Sequence, residues 1–376
     1  MTASPDLNPA IFTWDGEHGL PQFARLQDGD FRPAFDFALA SHDLEIEAIA
    51  SNPEKPTFAN TIVALEIAGD ELSRVSALFW NKAGADTNDA IQHLEREISP
   101  LMSRHYSKIG QNEPLFKRID ALWEDRETLG LTHEQSRVLE RHWKGFVKSG
   151  AKLPKPQQLR LAEINERLAS LGANFGQNVL ADEKEWALYL TSEDELAGLP
   201  DFLRDAMAGA AANRGESGKH AVTLSRSIIE PFLTFSENRA LREEAFKAWT
   251  ARGAHDGPTD NRRIVAETLE LRDEKAKLLG YPHYAALKLD NTMAKTAENV
   301  DELLMKVWEK ARLRAFEEEA DLAKLIADEG KNHPVEPWDW RHYAEKLRAQ
   351  RFNFSEGELK PYLQLEKIIE ACFAVA

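Results

Sequence analysis

The sequence has very little cysteine and no long apolar run. Cys372 is the only cysteine among the 376 residues, so no disulfide can form within the chain. No apolar stretch approaches the roughly 20 residues that cross a bilayer as a helix. The first residues, Met1 to Asn8, have neither the basic start nor the apolar segment of a signal peptide. Together these absences favour a cytoplasmic protein with no membrane partner.

Positive charge is outnumbered by negative charge. The chain has 47 lysines and arginines against 63 aspartates and glutamates, which gives a formal net charge of −16. The basic residues are interleaved with acidic ones, so no basic patch is visible. Because such a surface repels phosphate backbones, nucleic acid is excluded as an expected partner.

The common metal and nucleotide motifs are missing from the sequence. Of the eleven histidines only His133 precedes a glutamate, and Arg137 occupies the place of the second histidine in a His-Glu-x-x-His motif. His133 is therefore interpreted as part of the first turn of a helix. No Gly-x-Ser-x-Gly elbow, phosphate loop or dinucleotide fingerprint is present. Cys372 lies in an apolar run and is expected to be buried and inert. No catalytic residue and no metal ligand are assigned.

Helical spacing of apolar residues dominates the chain and predicts a mostly α fold. Thr57 and Thr132 are predicted N-caps, and Gly150, Gly280 and Gly330 are predicted helix stops. The predicted helices cover about 57–80, 132–149, 157–179, 260–279 and 296–328. The last is expected to bury Leu303, Leu304, Val307, Ala311, Leu322, Leu325 and Ile326. The stretch 150–156 is the predicted hinge between an N-terminal helical subdomain, 1–150, and a second helical segment, 151–376.

Two segments interrupt the helical pattern. Residues 185–190 and 221–235 carry alternating, β-branched or aromatic residues, which is typical of strands. They flank a predicted helix near 200–212. The sequence therefore predicts a small antiparallel β insertion near 185–235.

The segment Glu336 to Tyr343 concentrates chemically versatile side chains and has two interpretations. In the structural one, Asp339 caps a helix while Trp338 and Trp340 pack at its start. In the functional one, the segment lines a cleft where aromatic and hydrogen-bonding groups hold a peptide. The residues themselves favour the structural interpretation.

Several stretches carry a family resemblance. The sequence Pro56-Thr-Phe-Ala-Asn-Thr61 is followed by Asn238-Arg-Ala-Leu-Arg-Glu-Glu244, by 271–281 with its Leu-Leu-Gly-Tyr ending, and by Pro337-Trp-Asp-Trp-Arg-His-Tyr343. In this order they resemble the thimet-oligopeptidase-like family of zinc metallopeptidases. Within that family they are most similar to bacterial peptidyl-dipeptidases, also called dipeptidyl carboxypeptidases.

The resemblance implies multi-helix lobes around a deep channel, in which zinc on a His-Glu-x-x-His motif hydrolyses short peptides and releases C-terminal dipeptides. It covers only the first half to three-fifths of a full family member, so the zinc motif lies beyond it. On this view the channel wall includes Trp338, Asp339, His342 and Tyr343 as substrate-binding candidates.

The apolar end of the sequence has no helix-closing residue and favours a fragment that is inactive alone, binds no zinc, and pairs with a missing C-terminal part. The alternative is a complete, non-catalytic helical module that binds peptides or a protein partner.

Overall fold

The computed structural model describes residues 7–353 and 360–376, and the predicted mostly α fold is confirmed. The longer helices are α1 (Phe31–Ala50), α2 (Ala64–Ile67), α3 (Asp70–Ala85), α4 (Asp89–Gly110), α5 (Glu113–Glu124), α6 (His133–Lys148), α7 (Lys155–Glu185), α8 (Asp201–Asn213), α9 (Arg226–Phe235), α10 (Arg239–Thr250), α11 (Arg262–Leu278), α12 (Tyr284–Leu289), α13 (Ala297–Asp328), α14 (Pro337–Phe352) and α15 (Leu365–Val375). Short 3-10 turns lie at Pro9–Ile11, Glu17–Gly19, Phe23–Arg25, Asp28–Asp30 and Lys360–Tyr362.

The chain divides into two compact units, each made of two stretches of sequence. The first contains residues 1–177 and 262–296, and the second contains 178–261 and 297–376. The division into an N-terminal subdomain, 1–150, and a second segment, 151–376, stays a prediction.

The first unit has two apolar cores. One packs α1, α3 and α4 around Phe31, Phe35 and Phe79, whose rings meet edge to face. The other packs α1, α5 and α6 around Ile119 and Leu139, both fully buried. The predicted N-cap at Thr132 is confirmed, because its side chain accepts a hydrogen bond from the backbone N–H of Gln135.

The predicted helix over 57–80 is broken in the structure. Thr57 does cap its start, accepting from Asn60 N at 3.0 Å, and a π-helical turn then runs over Phe58–Val63. After the four-residue helix α2, Ala68 is extended and Gly69 has φ +81°, from which α3 starts in a new direction. Left-handed backbone is easiest for glycine, which has no Cβ, so Gly69 permits a break that apolar spacing does not reveal.

The second unit contains the predicted β insertion. Strands β1 (Ala187–Leu190) and β2 (His220–Thr223) pair antiparallel, with Leu188 opposite Val222, and α8 lies between them in sequence. The predicted strand over 221–235 was wrong beyond Thr223, because Arg226–Phe235 forms α9. Ile228 and Ile229 share the buried face of this helix with Phe232 and Leu233, each four residues further on.

Helix α13 is buried only near its C-terminal end. Leu322, Leu325 and Ile326 pack with Tyr343 of α14, as predicted. The predicted burial of Leu303, Leu304, Val307 and Ala311 was wrong, since residues 301–317 are all exposed. Cys372 is likewise exposed rather than buried, and no residue of α15 is buried. Across the described residues, no helix combines the length and apolarity that a bilayer span requires.

Candidate functional site

The predicted site segment forms the start of α14 in the second unit. Glu336 is the N-cap residue and Pro337 opens the helix, which places Asp339 in its first turn. The Asp339 carboxylate accepts a hydrogen bond from the backbone N–H of Glu336 at 3.2 Å. Asp339 thus helps to cap the helix, as the structural interpretation expects, but from its third position rather than as the N-cap residue.

Two arginines of α10 converge on Asp339. Arg239 donates from Nε and Nη2 at 2.9–3.1 Å, and Arg242 donates from Nη2 at 2.9 Å. The side chain of Asp339 is fully buried and that of Arg242 is 2% exposed. A buried carboxylate is stable only with such partners, so this cluster joins α10 firmly to α14.

Arg242 also donates hydrogen bonds to two backbone oxygens. Its Nε donates to Trp338 O at 3.1 Å, and its Nη1 donates to Ser236 O at 2.8 Å. One guanidinium therefore ties together the end of α9, the start of α14 and its own helix. The fixed geometry of the planar group allows all three contacts at once.

Burial and charge pull the pKa of Asp339 in opposite directions. Burial alone would raise the pKa, but the hydrogen bonds from Arg239 and Arg242 outweigh it, and the pKa is lowered. Asp339 is therefore an ionised structural partner at neutral pH and not a group prepared to exchange protons.

Trp338 and His342 complete the cluster from two sides. The Trp338 ring is half-buried, with the guanidinium of Arg239 at 5.5 Å and Lys247 Nζ at 5.3 Å from its centroid. His342 is buried, and its Nδ1–H donates to Thr234 O at 3.1 Å. Burial, assisted by the positive charge of Arg242, lowers the pKa of His342 to about 4.

Tyr343 belongs to the apolar core with α13. It is 1% exposed, and its hydroxyl accepts from Lys331 Nζ at 3.2 Å. The structure thus brings all four predicted residues into one turn and a half of helix, with three of them buried. Their contact with a peptide stays a prediction. No local pattern predicts a role for Arg239 or Arg242, although both lie in the 238–244 stretch that carries the family resemblance.

A second polar cluster in this unit resembles a catalytic triad in composition but not in geometry. Asp182 Oδ2 lies 2.8 Å from His255 Nε2, and Thr259 Oγ1 lies 3.5 Å from the same nitrogen. A proton relay needs the acid and the nucleophile on opposite ring nitrogens. Asp182 also accepts from Thr259 and from Gly253 N, so the cluster orders the loop after α10.

Comparison with known proteins identifies the relationship. Residues 232–376, which include Arg239, Arg242 and Asp339, match the model of Peptidase family M3. Over 363 residues the chain is 35% identical to dipeptidyl carboxypeptidase of Escherichia coli K12, covering 96% of this chain and 53% of the relative.

The predicted resemblance to peptidases of family M3 is confirmed.

Other M3 relatives support the same relationship. Dipeptidyl carboxypeptidase of Salmonella typhimurium is 34% identical over 370 residues, which are 98% of this chain and 54% of the relative. Oligopeptidase A of Escherichia coli K12 is 29% identical over 360 residues, or 95% and 53% of the two chains. The chain thus spans about half the length of the curated relatives that it matches.

The M3 resemblance implies zinc, and the described residues do not fit that metal. Nowhere in 7–353 and 360–376 do three or more His, Cys, Asp or Glu side chains come close enough together to hold an ion. The carboxylates of Asp182 and Asp339 are already engaged by protein donors. No chemical step is therefore derived through a metal on these residues.

Proposed function

We propose that this chain is the N-terminal portion of a zinc metallopeptidase that hydrolyses short peptides and releases dipeptides from their free C-termini. The proposal is carried by the 35% identity to a dipeptidyl carboxypeptidase over nearly the whole chain. The lower identity to oligopeptidase A makes an endo-acting oligopeptidase the second possible specificity.

In this proposal the chain supplies structure rather than chemistry. The cluster of Arg239, Arg242 and Asp339 would hold α9, α10 and α14 together as one wall of the substrate channel. Short, unfolded peptides would bind along this wall. Trp338 is the most accessible of the four predicted substrate-binding residues and is the first to test for contact with peptide.

Zinc and the catalytic residues would come from a C-terminal part of the same protein. This explains why the sequence has no His-Glu-x-x-His motif. We expect the 376-residue chain alone to bind no stoichiometric zinc and to cleave no peptide. A cytoplasmic location is part of the proposal and is consistent with a single cysteine.

The test starts with the gene sequence beyond codon 376. The proposal expects a His-Glu-x-x-His motif with a glutamate downstream. The full-length protein would then be assayed on an N-acetylated tetrapeptide with a free C-terminus and on the same peptide with a C-terminal amide. Release of a dipeptide from the free acid only, abolished by a chelator, supports the proposal. Equal cleavage of both peptides would instead indicate an endo-acting oligopeptidase.

The alternative is a non-catalytic module that binds peptides or a protein partner. The observation that favours it is the lack of a metal-binding set among the described residues. A stop codon directly after codon 376, together with a monomeric chain that unfolds cooperatively, would favour this module and defeat the peptidase proposal.

A further inference from the structure

The first unit contains a cavity that the proposed function does not use. It has a volume of about 660 Å³ and lies between α4, α7 and α11, with Tyr284 of α12 at its edge. Its apolar lining comes mainly from Leu168, Leu171, Phe175, Ile264, Val265 and Leu269. A cavity of this size and character is typical of sites for small organic ligands.

The charge of the cavity is opposite to that of the chain. Among the residues that the structure describes, Lys275 and Arg272 are the only charged ones that line it, and no aspartate or glutamate does. The chain as a whole carries 16 more negative than positive charges. The two cations of the cavity therefore depart from the acidic character of the chain. They favour the binding of an anionic ligand.

Lys275 is held in place without a counter-ion. Its Nζ donates to Asn165 Oδ1 at 2.6 Å, and Asn165 in turn donates from Nδ2 to Ser107 Oγ at 3.3 Å. Within the described residues no carboxylate lies within ion-pair distance of Lys275. Burial, with a smaller effect of Lys288, lowers the pKa of Lys275, as expected for an ammonium that lacks a negative partner.

Two glutamates of α11 are already paired with arginines of α7. Glu274 pairs with Arg160, with N–O distances of 2.7 and 2.8 Å, and Glu267 pairs with Arg167 at 2.5 and 2.7 Å. These two bidentate bridges join α11 to α7 and fix the helices that form the cavity walls. Both glutamates therefore already have a cationic partner.

We propose that this cavity binds a small carboxylate carried on an apolar body. The carboxylate pairs with Lys275, Arg272 adds positive charge, and the apolar part packs against Leu168, Ile264 and Leu269. Because the lining has no acid to receive an amine, a ligand with a free ammonium group binds worse than its N-acetylated form. A fatty acid and the C-terminal residue of an N-blocked peptide share this chemistry.

The test is calorimetric titration of the 376-residue chain with octanoate and with N-acetyl-phenylalanine. Octanamide tests the need for the charge, acetate tests the need for the apolar body, and phenylalanine tests the effect of the amine. We expect both apolar carboxylates to bind and the three comparison compounds to bind at least about tenfold more weakly. Whichever of octanoate and N-acetyl-phenylalanine binds more tightly indicates the natural source of the ligand.

Two variants locate the site. Lys275→Met keeps an unbranched side chain one atom shorter, removes the charge, and should weaken octanoate binding by about tenfold or more. The matched control is Lys277→Met on the same helix, because Lys277 is exposed and pairs with Asp273. This control should bind octanoate within about twofold of the original protein.

A third variant keeps the proposal testable if Lys275→Met fails to fold. Val265 is 44% exposed at the cavity, so Val265→Asp is compatible with folding and places a negative charge beside the ligand. It should also abolish octanoate binding. The proposal is overturned if neither carboxylate binds the unmodified chain, or if octanamide binds as well as octanoate. It is also overturned if a folded Lys275→Met or Val265→Asp variant binds octanoate as tightly as the original protein.

Discussion

Asp339 of α14 and Arg242 of α10 form an ion pair, 2.9 Å long, in which both side chains are excluded from solvent. The two residues are 97 positions apart in the sequence. Arg239 donates two further hydrogen bonds to the same carboxylate, from Nε and from Nη2. The part of the chain that matches the M3 model is thus held together by a charge cluster in its interior.

Asp339→Asn should destabilise the second unit severely. The variant leaves the buried Arg242 guanidinium without its counter-ion, and loss of one partner of a buried pair costs about 3 to 5 kcal/mol. Urea unfolding, followed by circular dichroism, measures the change in the free energy of unfolding.

The matched control for this variant is Asp321→Asn, which breaks the exposed bridge to Arg351. Exposed pairs contribute about 0 to 1 kcal/mol, so the control should remain near the original stability. Equal effects of the two substitutions would show that burial of the Asp339 pair has no energetic consequence.

The buried His342 should make stability depend on pH. Its pKa of about 4 in the folded chain lies below the value of about 6.5 in an unfolded chain. Unfolding therefore takes up a proton below pH 6.5, and stability falls as the pH drops from about 6.5 towards 4. The full loss amounts to about 3 kcal/mol.

Urea unfolding at pH 7.5, 6 and 5 measures this dependence. In His342→Gln the group that titrates is absent, so the decline in stability over this range should be smaller than in the original chain. His93→Gln, which replaces an exposed ring, should leave the decline unchanged. Identical pH dependence in the original chain and in His342→Gln would contradict the prediction.

The break before α3 should make Gly69 sensitive to substitution. Gly69→Ala forces a side chain into left-handed backbone, which costs about 1 to 2 kcal/mol. The new methyl group would also lie 3.1 Å from the ring of His42. Thermal and urea unfolding should therefore show a larger loss than for Gly130→Ala, where φ is +65° and no atom lies within 4 Å. Equal losses of stability in the two variants would mean that the His42 ring moves aside at no cost in free energy.

Cys372 should react readily with a thiol reagent. Its exposure on α15 predicts modification of one thiol per chain by a maleimide under native conditions, at the rate found in urea. Mass spectrometry measures the extent of labelling. Protection that disappears in urea would show that α15 is covered in solution, for example by a second copy of the chain.

Local signals in the sequence predicted helix ends better than helix surroundings. Thr57 and Thr132 cap helices because capping involves only residues three positions away. Apolar spacing in α13 was equally clear in both halves, but it shows which side is apolar and not whether anything covers it. Leu325 packs in the core that includes Tyr343 of α14, whereas Leu303 is 66% exposed.

The candidate site could be predicted only in part for a related reason. The composition of segment 336–343 indicated a candidate site. The partners of Asp339, however, lie about a hundred residues earlier, and no local pattern predicts such pairing. The cavity around Lys275 was missed because α11 reads as an ordinary amphipathic helix. Only the fold shows that Glu267 and Glu274 pair with arginines of α7, whereas Lys275 meets the neutral side chain of Asn165 there.

The uneven burial of α13 has a consequence for how its backbone opens. Around Leu322 and Ile326 the helix is anchored by its packing on α14, so amide hydrogens there should exchange only when the second unit unfolds. Over 301–317 every side chain is exposed, and the helix depends on its own backbone hydrogen bonds and on local pairs such as Lys306 with Glu302. Amide protection should therefore rise steeply along a single continuous helix, from fraying at its first turns to global stability at its last.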